Sequence, residues 1–378
     1  MRRNAAGYAR AHEKDQKTDR VGAGRSRRKV FRMYLRSIAD FRALAILFVV
    51  AGHTYQEVGL DPAAPQNAFL ANFVTGWTTP FVFISGYMFH HVFLRRFDYG
   101  RFLRSKVQNV LVPYTLLAAA VIPYFVSRNA HFAEEALAGA LWPVGFHPFT
   151  DALGLYVYGT FLVAQWFVPF ILLLFLMAPL HARFANVSGR VQFTIVGVLM
   201  LVALFAHRPL DNDNPVHAVI YFTPIYLLGM VASRYRPHFL ALVRGRETLF
   251  IVLALTATGV QTLAGQSGNA HKALFTFAGP DLMLISKVLM TLAILGVMER
   301  LPDHGWRPAH WVAETSFATF MLHPVAIIYL HKFGLTQPTG MPWIDLIWVT
   351  GVTVACCTTI ALMARTTLGS RSRLVVGY

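Results

Sequence analysis

Apolar residues dominate long stretches of the chain, and polar residues gather in the short segments between them. Ten windows are mostly apolar over about 20 residues, the length that an α-helix needs to cross about 30 Å of hydrocarbon. They lie near residues 40–58, 68–90, 110–126, 160–180, 190–207, 215–233, 247–266, 280–298, 312–331 and 343–364. The pattern predicts one all-α membrane domain, a bundle of about ten transmembrane helices over residues 37–366.

The positions of Lys and Arg between these windows agree with the predicted order of crossings. With the N-terminus in the cytoplasm, sixteen cations fall in the even-numbered connections and the C-terminal tail, and four fall in the odd-numbered connections. Loops rich in Lys and Arg remain on the cytoplasmic side of a membrane. Both termini are therefore predicted to be cytoplasmic, and we expect a multi-pass protein of the cell inner membrane.

Composition points to the same class of protein. The chain is 55% hydrophobic and 14% charged, whereas a soluble domain carries about 25% charged residues. Residues 1–36 hold twelve of the cations and no apolar run, which predicts a disordered cytoplasmic tail that fixes topology and contacts anionic lipid rather than nucleic acid. Residues 367–378 are predicted to form a second, short cytoplasmic tail.

The chain has two cysteines, Cys356 and Cys357, which are adjacent inside the last apolar window. Cysteines in such a place act most simply as small buried hydrophobic residues. They predict no disulfide framework and no metal site.

The first apolar window contains polar residues that a purely lipid-facing helix would avoid. "SIADFRALAILFVVAGHTY", residues 37–55, holds Asp40, Arg42 and His53, although a charge at mid-span costs about 2.5–3.5 kcal/mol on insertion scales. At about 100° per residue, Arg42 and His53 project from one helix face, about 16 Å apart along the axis. This spacing is compatible with a functional pair. The alternative is that Asp40 and Arg42 snorkel to the interface and His53 is a hydrogen-bonded core histidine.

The joint pattern resembles the first helix of acyltransferase family 3, the integral-membrane O-acyltransferases. In "DFRALAILFVVAGH", Asp40, Arg42 and His53 match the three polar positions of that family. Further blocks follow in the family's order and extend the similarity over essentially the whole membrane domain: "FVFISGYMF" (81–89), "FLRSKVQNVLVPY" (102–114), "QWFVPFILLLF" (165–175), "YFTPIYLLGM" (221–230) and "SFATFMLHP" (316–324).

The chain departs from the family at one motif. Many members carry Arg, two residues, Arg just before the Pro-Tyr that opens helix 3, where this chain has Lys106 to Asn109. Arg101 and Arg104 stand a few residues earlier. Which of these residues takes the part of the two arginines stays open.

The resemblance implies an activity with a donor and an acceptor. The family transfers an acyl group, usually acetyl, from cytoplasmic acyl-CoA to a hydroxyl of a saccharide or glycosylated acceptor, as in the O-acetylation of cell-envelope polysaccharide. We therefore expect acetyl-CoA as co-substrate, no metal, and no nucleic-acid partner. The resemblance leaves the acceptor sugar and a homo-oligomeric assembly open.

Acyl transfer to a hydroxyl needs a base and stabilisation of the developing oxyanion. At about 1.5 Å per residue, His53, His323 and Lys287 fall at similar depth, near or just outside the midplane, and such groups normally face the bundle interior. We predict His53 as general base, with His323 or Lys287 orienting it or polarising the thioester; an acyl-histidine intermediate is an alternative. Structural alternatives are Lys287 as counter-ion of Asp281, and His323 as partner of the backbone freed by Pro324.

Binding residues are expected at both ends of the bundle. Arg42 faces the predicted cytoplasmic end and is expected to hold the phosphates of CoA. The other residues predicted at the donor site are Asp40, Ser85, Arg101, Arg104, Lys106 and Asn109. Those predicted to bind the acceptor are Gln165, Trp166 and Glu57. For the loop cations the alternative is purely topological, because any cytoplasmic loop is basic.

Two other classes of function compete with the enzyme. A polytopic transporter or flippase of a saccharide-like substrate also has many helices, polar residues at mid-depth and prolines inside helices. The Arg42 and His53 pair on one helix face distinguishes the enzyme, since a carrier does not need that spacing. A non-catalytic membrane scaffold would carry fewer ionisable groups inside the membrane.

Overall fold

The computed structural model describes residues 36–378 except for 62, 130, 139, 141, 146, 274–275 and 302–306. The predicted tail over residues 1–36 lies, apart from Arg36, outside the described residues. The helices are α1 (Arg36–Glu57), α2 (Pro65–Val74), α3 (Thr78–Met88), α4 (Tyr99–Lys106), α5 (Val112–Arg128), α6 (Phe132–Ala136), α7 (Pro148–Tyr158), α8 (Phe167–Leu176), α9 (Ala178–Asn186), α10 (Gly189–Ala206), α11 (Pro215–Arg234), α12 (Arg236–Val243), α13 (Glu247–Leu263), α14 (Leu282–Arg300), α15 (Arg307–Lys332), α16 (Pro342–Leu368) and α17 (Ser372–Val375). Two short strands, β1 (Arg208–Pro209) and β2 (His271–Lys272), pair in parallel.

The described part of the chain is nearly all helix, and eight helical segments are long and apolar enough to cross a membrane. The number becomes nine if α8 and α9, which meet at 54°, form one bent span. Helix α13 is apolar but shorter than these segments. Each of the ten predicted windows contains one of these helices. A nearly all-α fold with several candidate membrane spans is confirmed, whereas the number of ten crossings and the side of the termini stay predictions.

Helix α11 packs against α3, α8 and α10, and two glycines determine its contact with α3. A Cβ on Gly86 would lie 1.9 Å from the carbonyl oxygen of Tyr226, and one on Gly229 would lie 2.1 Å from that of Phe83. Small residues allow helix backbones to approach this closely inside a membrane. The pairing of α3 with α11 therefore depends on glycine at both positions.

The helix that follows α1 is broken between α2 and α3, at Thr75–Trp77. Gly76 has φ +77°, a conformation that side chains rarely adopt. The last carbonyls of α2 have lost their intrahelical partners, and Lys287 of α14 replaces them: its Nζ donates to the carbonyl oxygens of Asn72 (3.1 Å) and Phe73 (2.6 Å). A cation at the C-terminal end of a helix also stabilises the helix dipole. The break is thus stabilised by specific hydrogen bonds within the bundle.

The last residues of the chain fold back onto the bundle. Helix α17 packs against α5 and the π-helical turn Val107–Leu111. The phenol of Tyr378 donates to the Glu314 carboxylate at 3.1 Å, and the Arg365 guanidinium lies over the Tyr378 ring at 4.9 Å. The segment predicted as a short tail therefore contacts the membrane domain at α17 and at Tyr378.

Candidate active site

A large cavity lies at the end of the bundle where α1 begins, the end predicted to be cytoplasmic. We name it the Arg42 cavity; its volume is about 690 Å³. Its lining consists of Arg42, Glu314, Arg365, Gly369, Ser370, Ser372, Arg373, Gly377 and Tyr378. Three guanidinium groups face one carboxylate in this space, and Nε of Arg42 is buried without a partner among the described residues. The cavity is basic and large enough for a drug-sized ligand, for which about 300–1,000 Å³ is usual.

Six other residues predicted at the donor site stand outside the described lining of the Arg42 cavity: Asp40, Ser85, Arg101, Arg104, Lys106 and Asn109. Ser85 donates its hydroxyl to the carbonyl of Phe81 within α3. The Asn109 amide donates to Ser105 one turn earlier. Asp40 is half-buried in α1, while Arg101 and Arg104 are exposed on α4.

Lys106 has an apolar environment instead of an anionic one. Its Nζ lies over the rings of Phe93 (4.8 Å), Phe102 (5.1 Å) and Phe175 (4.6 Å). Contacts of this kind stabilise a cation by about 0.5–2 kcal/mol each. The side chain therefore anchors the turn after α4 in the bundle, in addition to any contact with a ligand.

His53 stands between two smaller cavities at the opposite end of α1. The histidine cavity, of about 60 Å³, is lined by Val49, Gly52, His53, Val74, Thr75, Gly76, Trp77, Thr78, Ala164, Trp166, Phe167, Arg208, Asn212, Asn269 and Phe320. The outer vestibule, of about 260 Å³, is lined by His53, Glu135, Ala136, Ala138, Gly159, Thr160, Leu162, Val163, Trp166, Asp211, Asn212 and Asp213. His53, Trp166 and Asn212 line both spaces, so the two cavities adjoin at the imidazole.

His323 lies beside His53, with the two ring centroids 5.3 Å apart. Nδ1 of His323 is 3.1 Å from the carbonyl oxygen of Thr319 and 2.8 Å from that of Phe320. Carbonyl oxygens only accept hydrogen bonds, so this nitrogen carries the proton and Nε2 carries a lone pair. Nε2 is buried, and no described residue pairs with it. The backbone thus fixes one tautomer of His323, and the ring keeps an acceptor available next to His53.

Arg208 enters the histidine cavity from β1 and was not predicted as a site residue. Its guanidinium lies 5.1 Å from the ring centre of Trp166, and Nη1 donates to Oδ1 of Asn269 at 2.5 Å. The residue is 4% exposed, and its Nε has no partner in the described part of the chain. Burial lowers the pKa of Arg208, partly offset by Tyr221 and Asp281. Arg208 and His53 therefore line the same cavity, and the guanidinium has one buried N–H that no described residue accepts.

The residues predicted to bind the acceptor have three different environments. Trp166 lines both cavities at His53. Gln165 is fully buried, and its amide donates to the Met321 carbonyl at 3.2 Å. The Glu57 carboxylate lies 2.8 Å from Nδ1 of His331, and Glu57 is not part of either described lining. The geometry favours Trp166 as the contact residue, with Gln165 holding α15 in place.

Lys287 lies next to the break between α2 and α3 and outside the described lining of both cavities. Besides its two carbonyl partners, its Nζ is 5.3 Å from the ring centre of Trp77, which does line the histidine cavity. Asp281, the alternative partner considered from the sequence, instead accepts from the Tyr221 phenol (2.8 Å) and from the Leu284 backbone N–H (3.0 Å). Both Lys287 and Asp281 therefore have structural partners.

The segment after α10 supplies the polar wall of the outer vestibule. Asp211 (φ 47°) and Asn212 (φ 58°) adopt left-handed backbone conformations, which are uncommon for residues other than glycine and cluster at functional sites. Burial, reinforced by Asp211, raises the pKa of Asp213 to about 6. The sequence offered one signal for this wall, the polar run "RPLDNDN" (208–214) directly after an apolar helix.

Comparison with known proteins gives one match. A family model described as an acyltransferase domain, the family 3 model, matches residues 38–362. Neither the curated proteins nor the solved structures contain a significant match.

Proposed function

Because the chain belongs to acyltransferase family 3, we propose that this membrane acyltransferase moves an acetyl group from cytoplasmic acetyl-CoA to a hydroxyl of a saccharide or glycosylated acceptor. One observation carries the proposal. A single helix, α1, presents Arg42 to a large basic cavity at one end and His53 to two small cavities at the other.

The Arg42 cavity suits the nucleotide part of the donor. CoA carries several phosphate charges, and arginine binds phosphate by charge-assisted, often bidentate, hydrogen bonds. Arg42, Arg365 and Arg373 supply three such groups. The pantetheine arm then extends along α1 toward His53, over about 16 Å of helix axis.

The histidine cavity suits the reacting end of the donor. Its volume of about 60 Å³ leaves space for a few atoms, which supports acetyl over a long acyl chain. His53 takes the proton of the acceptor hydroxyl as the oxygen attacks the thioester carbonyl carbon. The unpaired Nε–H of Arg208 donates to the resulting oxyanion. The intermediate then expels CoA as a thiolate, which receives the proton from His53.

His323 acts on His53 rather than on the substrate. His323 holds its proton on Nδ1, so its Nε2 can accept a hydrogen bond from the N–H of His53 when the two rings align. The other ring nitrogen of His53 is then free to act as the base. Serine proteases orient their histidine by the same logic, with a carboxylate in the role of acceptor. Lys287 maintains the break between α2 and α3, which forms one wall of the cavity.

The proposal is tested with the full chain purified in lipid nanodiscs. Acetyl-CoA and palmitoyl-CoA are supplied with a panel of mono- and disaccharides, free CoA thiol is followed over time, and the sugars are analysed by mass spectrometry. We expect acetyl-CoA to be consumed, an acetyl ester on at least one sugar, and no turnover of palmitoyl-CoA. Sugars that remain unmodified, with no release of thiol from acetyl-CoA, would overturn the proposal.

The two breaks in the bundle, at α2–α3 and at α8–α9, are the features that favour a transporter, since carriers bind substrate at discontinuous helices. Uptake of radiolabelled saccharide into proteoliposomes without acetyl-CoA distinguishes the two functions. If the protein is the proposed enzyme, no saccharide enters the proteoliposomes under these conditions.

A further inference from the structure

The outer vestibule carries a charge pattern that acetyl transfer does not itself require. Three carboxylates, from Glu135, Asp211 and Asp213, are part of its described lining, and no Lys or Arg is among the lining residues. Acidic residues at the outer end of a membrane protein are common, because cations are retained in the cytoplasmic loops. Exposed acids alone, such as Glu135 and Asp211, therefore indicate nothing about the ligand.

Asp213 differs from these two residues because it is buried. It is 4% exposed, and its Oδ2 has no partner in the part of the chain that the structure describes. A buried carboxylate without a donor is unfavourable by several kcal/mol, so such groups are normally paired. Asn212, beside it, has an Oδ1 that is likewise unpaired. Both residues line the vestibule, and each has a buried side-chain oxygen that no described residue pairs with, which is the arrangement expected when a ligand supplies donors.

The size of the vestibule and the charge of its walls restrict that ligand further. The vestibule, at about 260 Å³, is smaller than the usual pocket for a drug-sized molecule and therefore fits one sugar ring. Trp166 also lines the vestibule, but its ring already carries the Arg208 guanidinium at 5.1 Å, which leaves the carboxylates as the groups that can bind a further cation. Carboxylates favour an ammonium group over a neutral hydroxyl, because a charged donor forms the stronger hydrogen bond with a carboxylate.

From these contacts we infer that the acceptor carries a protonated amine: the outer vestibule binds an amino sugar, with its ammonium on Asp213 and a hydroxyl directed to His53. This inference rests on the proposed function, because it names the acceptor class of the same site. The pKa of Asp213, raised to about 6, agrees with it, since a bound cation compensates for the burial of the ionised carboxylate.

The test measures binding without any acyl donor. The full chain in nanodiscs is titrated calorimetrically at pH 7.5 with methyl 2-amino-2-deoxyglucoside, methyl 6-amino-6-deoxyglucoside and the neutral methyl glucoside. We expect at least one amine to bind roughly ten-fold tighter than the neutral sugar, which corresponds to about 1.4 kcal/mol. If neither amine binds tighter than the neutral sugar, or neither amine binds, the inference is overturned.

Two variants and one control locate the effect. Asp213→Asn keeps the shape of the side chain and should reduce the amine preference to less than about two-fold; Glu135→Gln, on a different element, should reduce it in part. Glu134→Gln is the matched control, because Glu134 is adjacent in sequence but pairs with His131 and is absent from the described lining. An undiminished preference in Asp213→Asn contradicts the inference even if Glu135→Gln lowers affinity.

The preference for the amino sugar over the neutral sugar should also depend on pH. As the pH falls from 7.5 to 5 through the pKa of Asp213, the carboxylate becomes neutral and amine binding weakens, while neutral-sugar binding stays constant. The other titratable groups near Asp213 are Asp211, Glu135, Tyr158 and His53. Asp213→Asn must therefore remove most of the pH effect.

A protein that binds amines but releases no CoA would contradict the proposed function alone. Equal binding of amine and neutral sugars, with active acetyl transfer, would contradict this inference alone.

Discussion

The two ends of α1 differ in size, charge and lining. At the Arg42 end, a cavity of about 690 Å³ is lined by three arginines and by the folded C-terminal segment. At the His53 end, the spaces measure about 60 and 260 Å³, and their walls are tryptophan, asparagine and carboxylate side chains around one buried arginine. A large polyanion fits the first end and a small reacting group fits the second. Under the proposed function, this difference corresponds to donor binding at the Arg42 end and acyl transfer at the His53 end.

The strongest expected effect comes from removing the base at the His53 end. His53→Ala should lower kcat for acetyl transfer by roughly 10³-fold, within the usual range for a general base. The affinity for CoA, measured by calorimetry, should stay within about two-fold, because the Arg42 cavity is untouched. The control is His90→Gln, a half-buried histidine outside both described linings. Normal turnover in His53→Ala would remove the base from the account.

Arg208→Gln should have the next largest effect. Loss of one donor to an oxyanion lowers kcat by about 10²-fold in other acyl-transfer enzymes, and we expect a similar loss here with unchanged KM for acetyl-CoA. Arg128→Gln, an exposed cation at the same predicted side, should leave kcat unchanged. If Arg208→Gln raised KM and spared kcat, the arginine would bind substrate in the ground state instead.

Arg42→Gln should change KM for acetyl-CoA rather than kcat. A hydrogen bond to a charged group contributes about 1.5–3 kcal/mol, so KM for acetyl-CoA should rise roughly ten- to a hundred-fold while KM for the acceptor stays constant. Arg183→Gln, an exposed cation on α9, serves as the control. An effect confined to the acceptor would place the donor site elsewhere.

The smallest effect on catalysis is expected at Lys287. Lys287→Met removes two hydrogen bonds from the end of α2 and should lower the thermal midpoint in detergent by several degrees. The kcat/KM of the surviving protein should change less than about ten-fold, because Lys287 is outside the described linings. Lys332→Met, exposed at the end of α15, controls for loss of charge. A kcat loss as large as that of His53→Ala would assign Lys287 to the chemistry.

The sequence predicted the helices well because hydropathy and loop charge are local properties. It also indicated that His53 and His323 occupy similar depth, and the structure brings their rings to 5.3 Å. Lys287 lies at a similar predicted depth, but its side chain contacts the end of α2 instead of the two histidines. Depth along a helix does not determine which neighbour a side chain contacts. Arg208 was counted only as a loop cation, since nothing local shows that β1 directs it inward. The contact of the C-terminal segment with the Arg42 cavity likewise depends on residues distant in sequence.

The most direct measurement asks whether one donor molecule reaches from one end of α1 to the other. S-(bromoacetyl)-CoA places an alkylating carbon where the acetyl methyl group would lie, next to the thioester carbonyl. A histidine nitrogen displaces bromide from this carbon and retains the CoA adduct. Peptide mass spectrometry should find the adduct on His53, prevented by excess CoA and strongly reduced in Arg42→Gln. Adducts only on residues around the Arg42 cavity, or labelling of His53 that ignores both CoA and Arg42→Gln, would contradict the account.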